Sequence, residues 1–220
     1  MRTLWLLTFV FLLAGCGGKE ALHKGKTAAQ WRQSLHDPDA QVRREAITAM
    51  GALKDGGAVP DLMAALEDKD KAIRAKAAEA LWSLGPQARE AVPALTPLLK
   101  DKDAGVRLST AGALGEIGPD AQSAVPALLT CLQDRDPYVR AQAATSLGKC
   151  KAESPAAVSG LAQALGDREK NVRVAAAYAL ADIGPPARDA LPALQKVSQT
   201  RDGDLRVAVK HALKAVGHAE

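Results

Sequence analysis

Asp101-Lys102-Asp103-Ala104-Gly105-Val106-Arg107-Leu108-Ser109-Thr110-Ala111-Gly112-Ala113-Leu114-Gly115-Glu116-Ile117-Gly118-Pro119 is the stretch from which the fold can be read. Val106, Thr110, Ala113, Leu114 and Ile117 recur at spacings of three and four, which marks one buried face of a helix running from about Asp103 to Ile117. Gly118-Pro119 is a stop signal. Glycine takes the left-handed conformation that closes a helix, and the proline behind it cannot continue one.

The same phrase returns along the chain. Val42-Arg43, Ile73-Arg74, Val106-Arg107, Val139-Arg140, Val172-Arg173 and Leu205-Arg206 are separated by one step of 31 residues and four of 33. Four residues before each arginine stands an acid: Asp39, Asp70, Asp103, Asp136, Glu169 or Asp202. Seven residues after it comes Met50, Leu81, Leu114, Leu147, Leu180 or Leu213. Each unit reads as two helices. The first carries an apolar-proline step near its start, at Val59-Pro60, Val92-Pro93, Val125-Pro126 and Leu191-Pro192. Asp136-Pro137 reads as an N-cap followed by a first-turn proline, and Gly85-Pro86 and Gly184-Pro185 repeat the stop. A single pair of such helices cannot bury its apolar face alone, so the pairs must stack in series. The expected architecture is all-α, a solenoid of about six antiparallel helix pairs.

Composition agrees. Beyond residue 15 the only aromatics are Trp31, Trp82, Tyr138 and Tyr178, and a core of Ala, Leu and Val suits closely packed helices. A net charge of +4 over 220 residues argues against a dedicated nucleic-acid binder, whose footprint is a concentrated basic face.

The N-terminus carries a separate message. Arg2 precedes an apolar run from Leu4 to Ala14, too short to span a bilayer and of the length of a secretory leader. Its end, Leu13-Ala14-Gly15-Cys16, resembles the lipobox of bacterial lipoproteins. That resemblance implies a signal peptide over 1–15 and a diacylglycerol thioether on Cys16, which becomes the mature N-terminus. Gly17 stands where aspartate holds enteric lipoproteins in the inner membrane, so an outer-membrane anchor facing the periplasm is expected. Residues 16–26 then form the lipidated cysteine and a short tether, 27–217 the solenoid and 218–220 a tail.

The units resemble HEAT repeats, in the short bacterial form also found in phycobilisome lyases. The residues that carry this are Ala-Val-Pro-Ala-Leu at 91–95 and 124–128, Asp-x-Asp-x-x-Val-Arg at 101–107 and 134–140, and Leu-Gly-x-Ile-Gly-Pro at 114–119. The first unit departs from the pattern, with Trp31 and no Val-Pro step. The resemblance implies that Arg43, Arg74, Arg107, Arg140, Arg173 and Arg206 pair with acids of their own and neighbouring units. That structural ladder includes Asp39, Asp70, Asp103, Asp136 and Asp202. The recurring Asp-x-Asp pairs lack the glycine and distal glutamate of a calcium loop and read as helix caps, not metal ligands.

In HEAT solenoids the second helices line the concave side, so a protein partner is expected there. Counting from each arginine, the first, fifth and eighth residues vary freely between units. They supply the candidate partner-binding set Arg44, Thr48, Glu79, Trp82, Leu108, Thr145, Tyr178, His211 and Lys214. Trp82 and Tyr178 stand out because aromatics often anchor interfaces.

Cys131 and Cys150 fall at opposite ends of one helix pair, on the order of 15–20 Å apart at 1.5 Å per residue, which is too far for a disulfide. Both read as small core residues. The histidines, 23, 36, 211 and 218, show no zinc spacing, and no Gly-x-Ser-x-Gly, Walker or dinucleotide pattern is present. The expectation is a non-catalytic adaptor without cofactor, metal or small-molecule substrate. The alternative is a bilin-lyase-like enzyme that handles a tetrapyrrole; a weaker third reading is a binder of DNA backbone.

Overall fold

The computed structural model describes residues 22–217. Cys16, the leader over 1–15 and the tail over 218–220 lie outside the described residues.

Twelve α-helices alternate short and long among the described residues. The short first helices are α1 (Ala28–Gln33), α3 (Val59–Ala65), α5 (Val92–Leu98), α7 (Val125–Cys131), α9 (Pro155–Ala164) and α11 (Leu191–Val197). The long second helices are α2 (Ala40–Leu53), α4 (Lys71–Leu84), α6 (Ala104–Ile117), α8 (Pro137–Lys149), α10 (Lys170–Ile183) and α12 (Gly203–Gly217). Each second helix packs on the next in chain order, so the six pairs form one continuous stack.

Local chemistry sets the helix ends. Asp39, Asp70, Asp103 and Asp136 sit in extended conformation at N-caps, and their carboxylates accept the N–H two residues on, at 2.7–2.9 Å. Glu169 occupies the same position with no side-chain cap bond. Its extra methylene takes the carboxylate past the N–H groups that aspartate reaches. Pro60, Pro93, Pro126 and Pro192 fall in the first turn, where no intrahelical N–H is lost.

The Gly-Pro stops differ from expectation in detail. Gly85, Gly118 and Gly184 have φ of 59°, 78° and 76°, but ψ near −137°, outside the left-handed helical well and in a region open to glycine. The chain then enters a short 3-10 segment, Gly85–Ala91, Gly118–Ala124 or Pro185–Ala190, that leads into the next first helix. Lys54 and Lys151 supply the positive φ where the stop glycine is missing.

The core runs the length of the stack. Met50, Leu81, Leu114, Leu147 and Leu180 are fully buried, one per unit. Leu213 in the last unit is only half-buried, as a terminal layer with no described neighbour beyond it must be. Close approach between second helices depends on small residues eight past the arginine. A Cβ on Gly115 would stand 2.5 Å from Ser146 Oγ, and one on Gly148 would stand 2.7 Å from Ala179 Cα.

The first unit is closed differently from the others. Residues assigned to the tether pair as a two-stranded hairpin, β1 (Leu22–His23) with β2 (Lys26–Thr27), turning through positive φ at Lys24 and Gly25. Trp31 lies buried beneath it, donating from Nε1 to the His23 carbonyl at 3.0 Å, with Lys26 Nζ 4.4 Å from its ring centroid. The hairpin covers the first layer on the side where the inner layers meet a preceding unit.

Candidate functional site

Two surfaces emerge from this stack: a loop edge where first helices turn into second helices, and the face that the second helices present.

At the loop edge the arginines form a ladder. Arg74, Arg107 and Arg140 donate from Nε and Nη2 to both carboxylate oxygens of Asp101, Asp134 and Asp167, at 2.7–3.1 Å. Arg43 reaches Asp68 at 3.0 Å, and Arg173 stands 3.7 Å from Asp202. Nη1 of each also donates to two carbonyls of its own turn, for Arg107 those of Asp101 and Lys102. The acids of the ladder differ from those expected. Asp39, Asp70, Asp103 and Asp136 bind helix N-termini, and the arginines use the first acid of the following unit's Asp-x-Asp instead. Asp202 alone does both, accepting the N–H groups of Asp204 and Leu205 as well. Arg206, in the last unit, is exposed.

Burial along the ladder peaks at mid-rod. Arg107 and Arg140 are only 5% and 6% exposed, whereas Arg43, Arg74 and Arg173 are half-buried. Burial opposes the charge on Asp101 and Asp134, yet hydrogen bonds from the guanidinium and from a backbone N–H hold both carboxyls below the ordinary value. At Asp167 the hydrogen bond from Arg140 is the leading influence, and its carboxyl is lowered too.

The second-helix face carries the candidate partner residues, and the structure gathers only some of them. Leu108, Thr145 and Tyr178 line one depression of about 410 Å³, together with Tyr138, Asn171 and Val174. Thr48 and Glu79 line another of about 230 Å³, and Glu79 and Trp82 share a third of about 570 Å³ with Lys54 and Glu116. His211 is exposed, its ring 6.0 Å from that of Tyr178. Arg44 and Lys214 are exposed at the two ends of the face.

Trp82 is half-buried rather than projecting. Its six-membered ring lies where a Cβ on Gly112 would be, so the glycine of α6 is the seat for the tryptophan of α4. In the other inner units the Trp82 position is glycine or alanine, and the Gly112 position is a larger residue. The pair has exchanged sizes across one junction. Gly112 stands at the fifth position past its arginine, one of the three positions read as the open face, yet it is buried.

Sequence reasoning also passed over Tyr138, which is 66% exposed, against 42% for Tyr178. Tyr138 lies two residues before its arginine, and only positions after the arginine were compared. The corresponding residues Gln41, Ala72, Gly105, Asn171 and Asp204 vary just as freely, which was the available signal.

The two halves of the face have different chemistry. Around Trp82 the lining is charged, with Lys76 paired to Glu79 and Lys149 to Glu116. Around Tyr138 and Tyr178 none of the lining residues is charged.

Among the described residues no three His, Cys, Asp or Glu side chains gather closely enough to hold a metal ion. Cys131 and Cys150 are buried and unpaired, and burial pushes both thiols up to about 11, which suppresses the nucleophilic thiolate at neutral pH. No described helix is long and apolar enough to cross a membrane.

The sequence profile of HEAT repeats matches residues 28–89, 82–147 and 125–214. No curated protein matches the chain. Among solved structures, a designed armadillo repeat protein in complex with the peptide (KR)4 aligns with a TM-score of 0.74 at 21% identity, covering 87% of this chain and 100% of its own. An engineered protein aligns with a TM-score of 0.70 at 24% identity, covering 86% of this chain and 96% of its own. These likenesses concern the fold.

Proposed function

The chain belongs to the HEAT-repeat family, and from that premise we propose that it is a non-catalytic adaptor, anchored to a membrane by lipid on Cys16, that holds a protein partner along its second-helix face. Repeat solenoids of this kind commonly bind proteins. The observation that carries the reading is the uncharged depression that two exposed aromatic rings, Tyr138 and Tyr178, line together with apolar and neutral polar residues. The designed neighbour's complex with the peptide (KR)4 supports a peptide segment as the kind of ligand such a stack accommodates. A basic peptide finds no acidic lining in this depression, so the fitting partner segment is apolar.

The leader, ending Leu13-Ala14-Gly15-Cys16, supports export and an outer-membrane anchor facing the periplasm. Two experiments test the proposal. Tyr138→Ala with Tyr178→Ala should leave helical content and melting temperature unchanged while abolishing recovery of the partner from native membranes; undiminished recovery sinks the binding site. Cys16→Ser should move the protein out of the membrane fraction once membranes are washed in high salt, and retention after that wash sinks the lipid anchor.

A further inference from the structure

The middle residue of the turn that reads Asp-x-Asp in units two to four, Asp-x-Glu in the fifth and Thr-x-Asp in the sixth is basic throughout: Lys69, Lys102, Arg135, Arg168 and Arg201. All five are exposed. Their turns stack directly on one another. Lys69 and Lys102 line a single cleft, and Arg135 Nη2 donates to the Lys102 carbonyl at 3.2 Å. The carbonyls of Lys69, Lys102, Arg135 and Arg168 are each held by the ladder arginine of the same unit, at 2.9–3.5 Å, so the ladder fixes the interval between the cations.

What matters is the charge left over on this edge. Asp68, Asp101, Asp134 and Asp167 are matched by Arg43, Arg74, Arg107 and Arg140. Asp70, Asp103 and Asp136 are matched by the positive ends of α4, α6 and α8, with Lys71 also on Asp103. Asp202 takes Lys170 and Arg173. Among the described residues Arg168 has a carboxylate contact, at 3.8 Å to Glu169, and the other four cations have none. With the first acids on arginines and the cap acids at helix N-termini, a row of exposed basic side chains is left along the rod.

We propose that this row docks the rod edge-on against anionic phospholipid headgroups, as a second membrane contact beside the acyl chains on Cys16. The inference rests on the lipid-anchor reading for its choice of lipid over a soluble polyanion. Only residues 17–21 separate Cys16 from the folded hairpin, six steps with a reach of at most about 22 Å, so the stack stays close to the headgroup layer. A set of cations on a phosphate surface adds a second, salt-sensitive contact to that of the acyl chains. Docking by the edge leaves the second-helix face free for the partner.

The test uses the full chain with vesicles of phosphatidylcholine alone and vesicles containing about one-third phosphatidylglycerol. Each adsorbed cation contributes roughly a fivefold factor in partitioning, so the wild type should gain roughly a hundredfold or more on the anionic vesicles and lose that gain in high salt. The variant Lys69→Gln, Lys102→Gln, Arg135→Gln, Arg168→Gln, Arg201→Gln should keep its helical spectrum and its phosphatidylcholine baseline but lose the gain. Lys69→Arg with Lys102→Arg should retain it. No gain for the wild type, or an equal gain for the glutamine variant, overturns the proposal. Inorganic polyphosphate that binds as tightly, charge for charge, as the anionic vesicles overturns the assignment to lipid. The phosphatidylcholine baseline reads the apolar N-terminus separately; its absence with the anionic gain intact would remove the anchor and leave the row.

Discussion

At the loop edge the inner units repeat one piece of chemistry: an acid at the cap position, an arginine bridging to the next unit, and a cation just before the cap. Across the second-helix face the units diverge. Position five past the arginine is threonine, glutamate, glycine, threonine, tyrosine and histidine in turn. The edge repeats because each unit must meet an identical neighbour there. Apart from Trp82 on Gly112, the face is not bound to fit an identical neighbour, so its residues are free to differ, and a surface free to differ is where a particular partner can be recognised.

The contrast is broken most severely at mid-rod. Removing one partner of a buried ion pair strands the other, so Arg107→Ala should cost about 3–5 kcal/mol, measured by denaturant unfolding. Arg43→Ala, at the more open end, should cost about 1 kcal/mol. Equal losses at both positions would remove the distinction between a buried centre and open ends. The ladder also sets an acid limit. The carboxyls of Asp101, Asp134 and Asp167 lie below the unfolded value of 3.8, so their contribution is complete above it and is lost as pH falls through the folded values. The melting temperature should therefore drop below about pH 4, and Arg107→Gln should flatten Asp134's share of that drop.

The Trp82–Gly112 exchange comes next in size, because here the face takes over a task of the core. Gly112→Ala drives a methyl group into the indole and should cost about 1–3 kcal/mol, with Trp82→Leu in the same chain restoring much of it. Additive losses would mean that the two residues do not share the space. A smaller effect of opposite sign is expected at Thr110, whose hydroxyl is buried without a hydrogen-bond partner among the described residues, while that of Ser146 reaches the Ala111 carbonyl at 2.6 Å. Thr110→Val keeps the shape and should stabilise by about 1 kcal/mol in thermal or denaturant unfolding. Smallest for stability is Tyr138→Ala with Tyr178→Ala, within about 0.5 kcal/mol of wild type because both rings are exposed.

The stack itself was legible in the sequence because its signals are local and recur: a 33-residue step, a cap, an apolar face and a stop. What the sequence left open is relational. Both acids of Asp-x-Asp recur in nearly every unit, so nothing along the chain says which one the arginine of the preceding unit will meet. Only the register between stacked turns decides, and it selects Asp68, Asp101, Asp134 and Asp167. Trp82 was visible as an oddity, but its direction depended on Gly112, thirty residues away and seemingly on an open surface. Tyr138 escaped because a first-turn residue was counted with the cap rather than with the face. The hairpin over Trp31 has no counterpart in other units, so the repeat could not announce it.

The central claim is that the second-helix face, and not the outer row of first helices, meets the partner. A photo-crosslinking residue placed at Tyr178 on that face, and separately at exposed Ser159 on α9, tests it in living cells. A discrete adduct from position 178 with none from position 159 is the predicted result. Adducts from 159 alone, or equally from both, would contradict it.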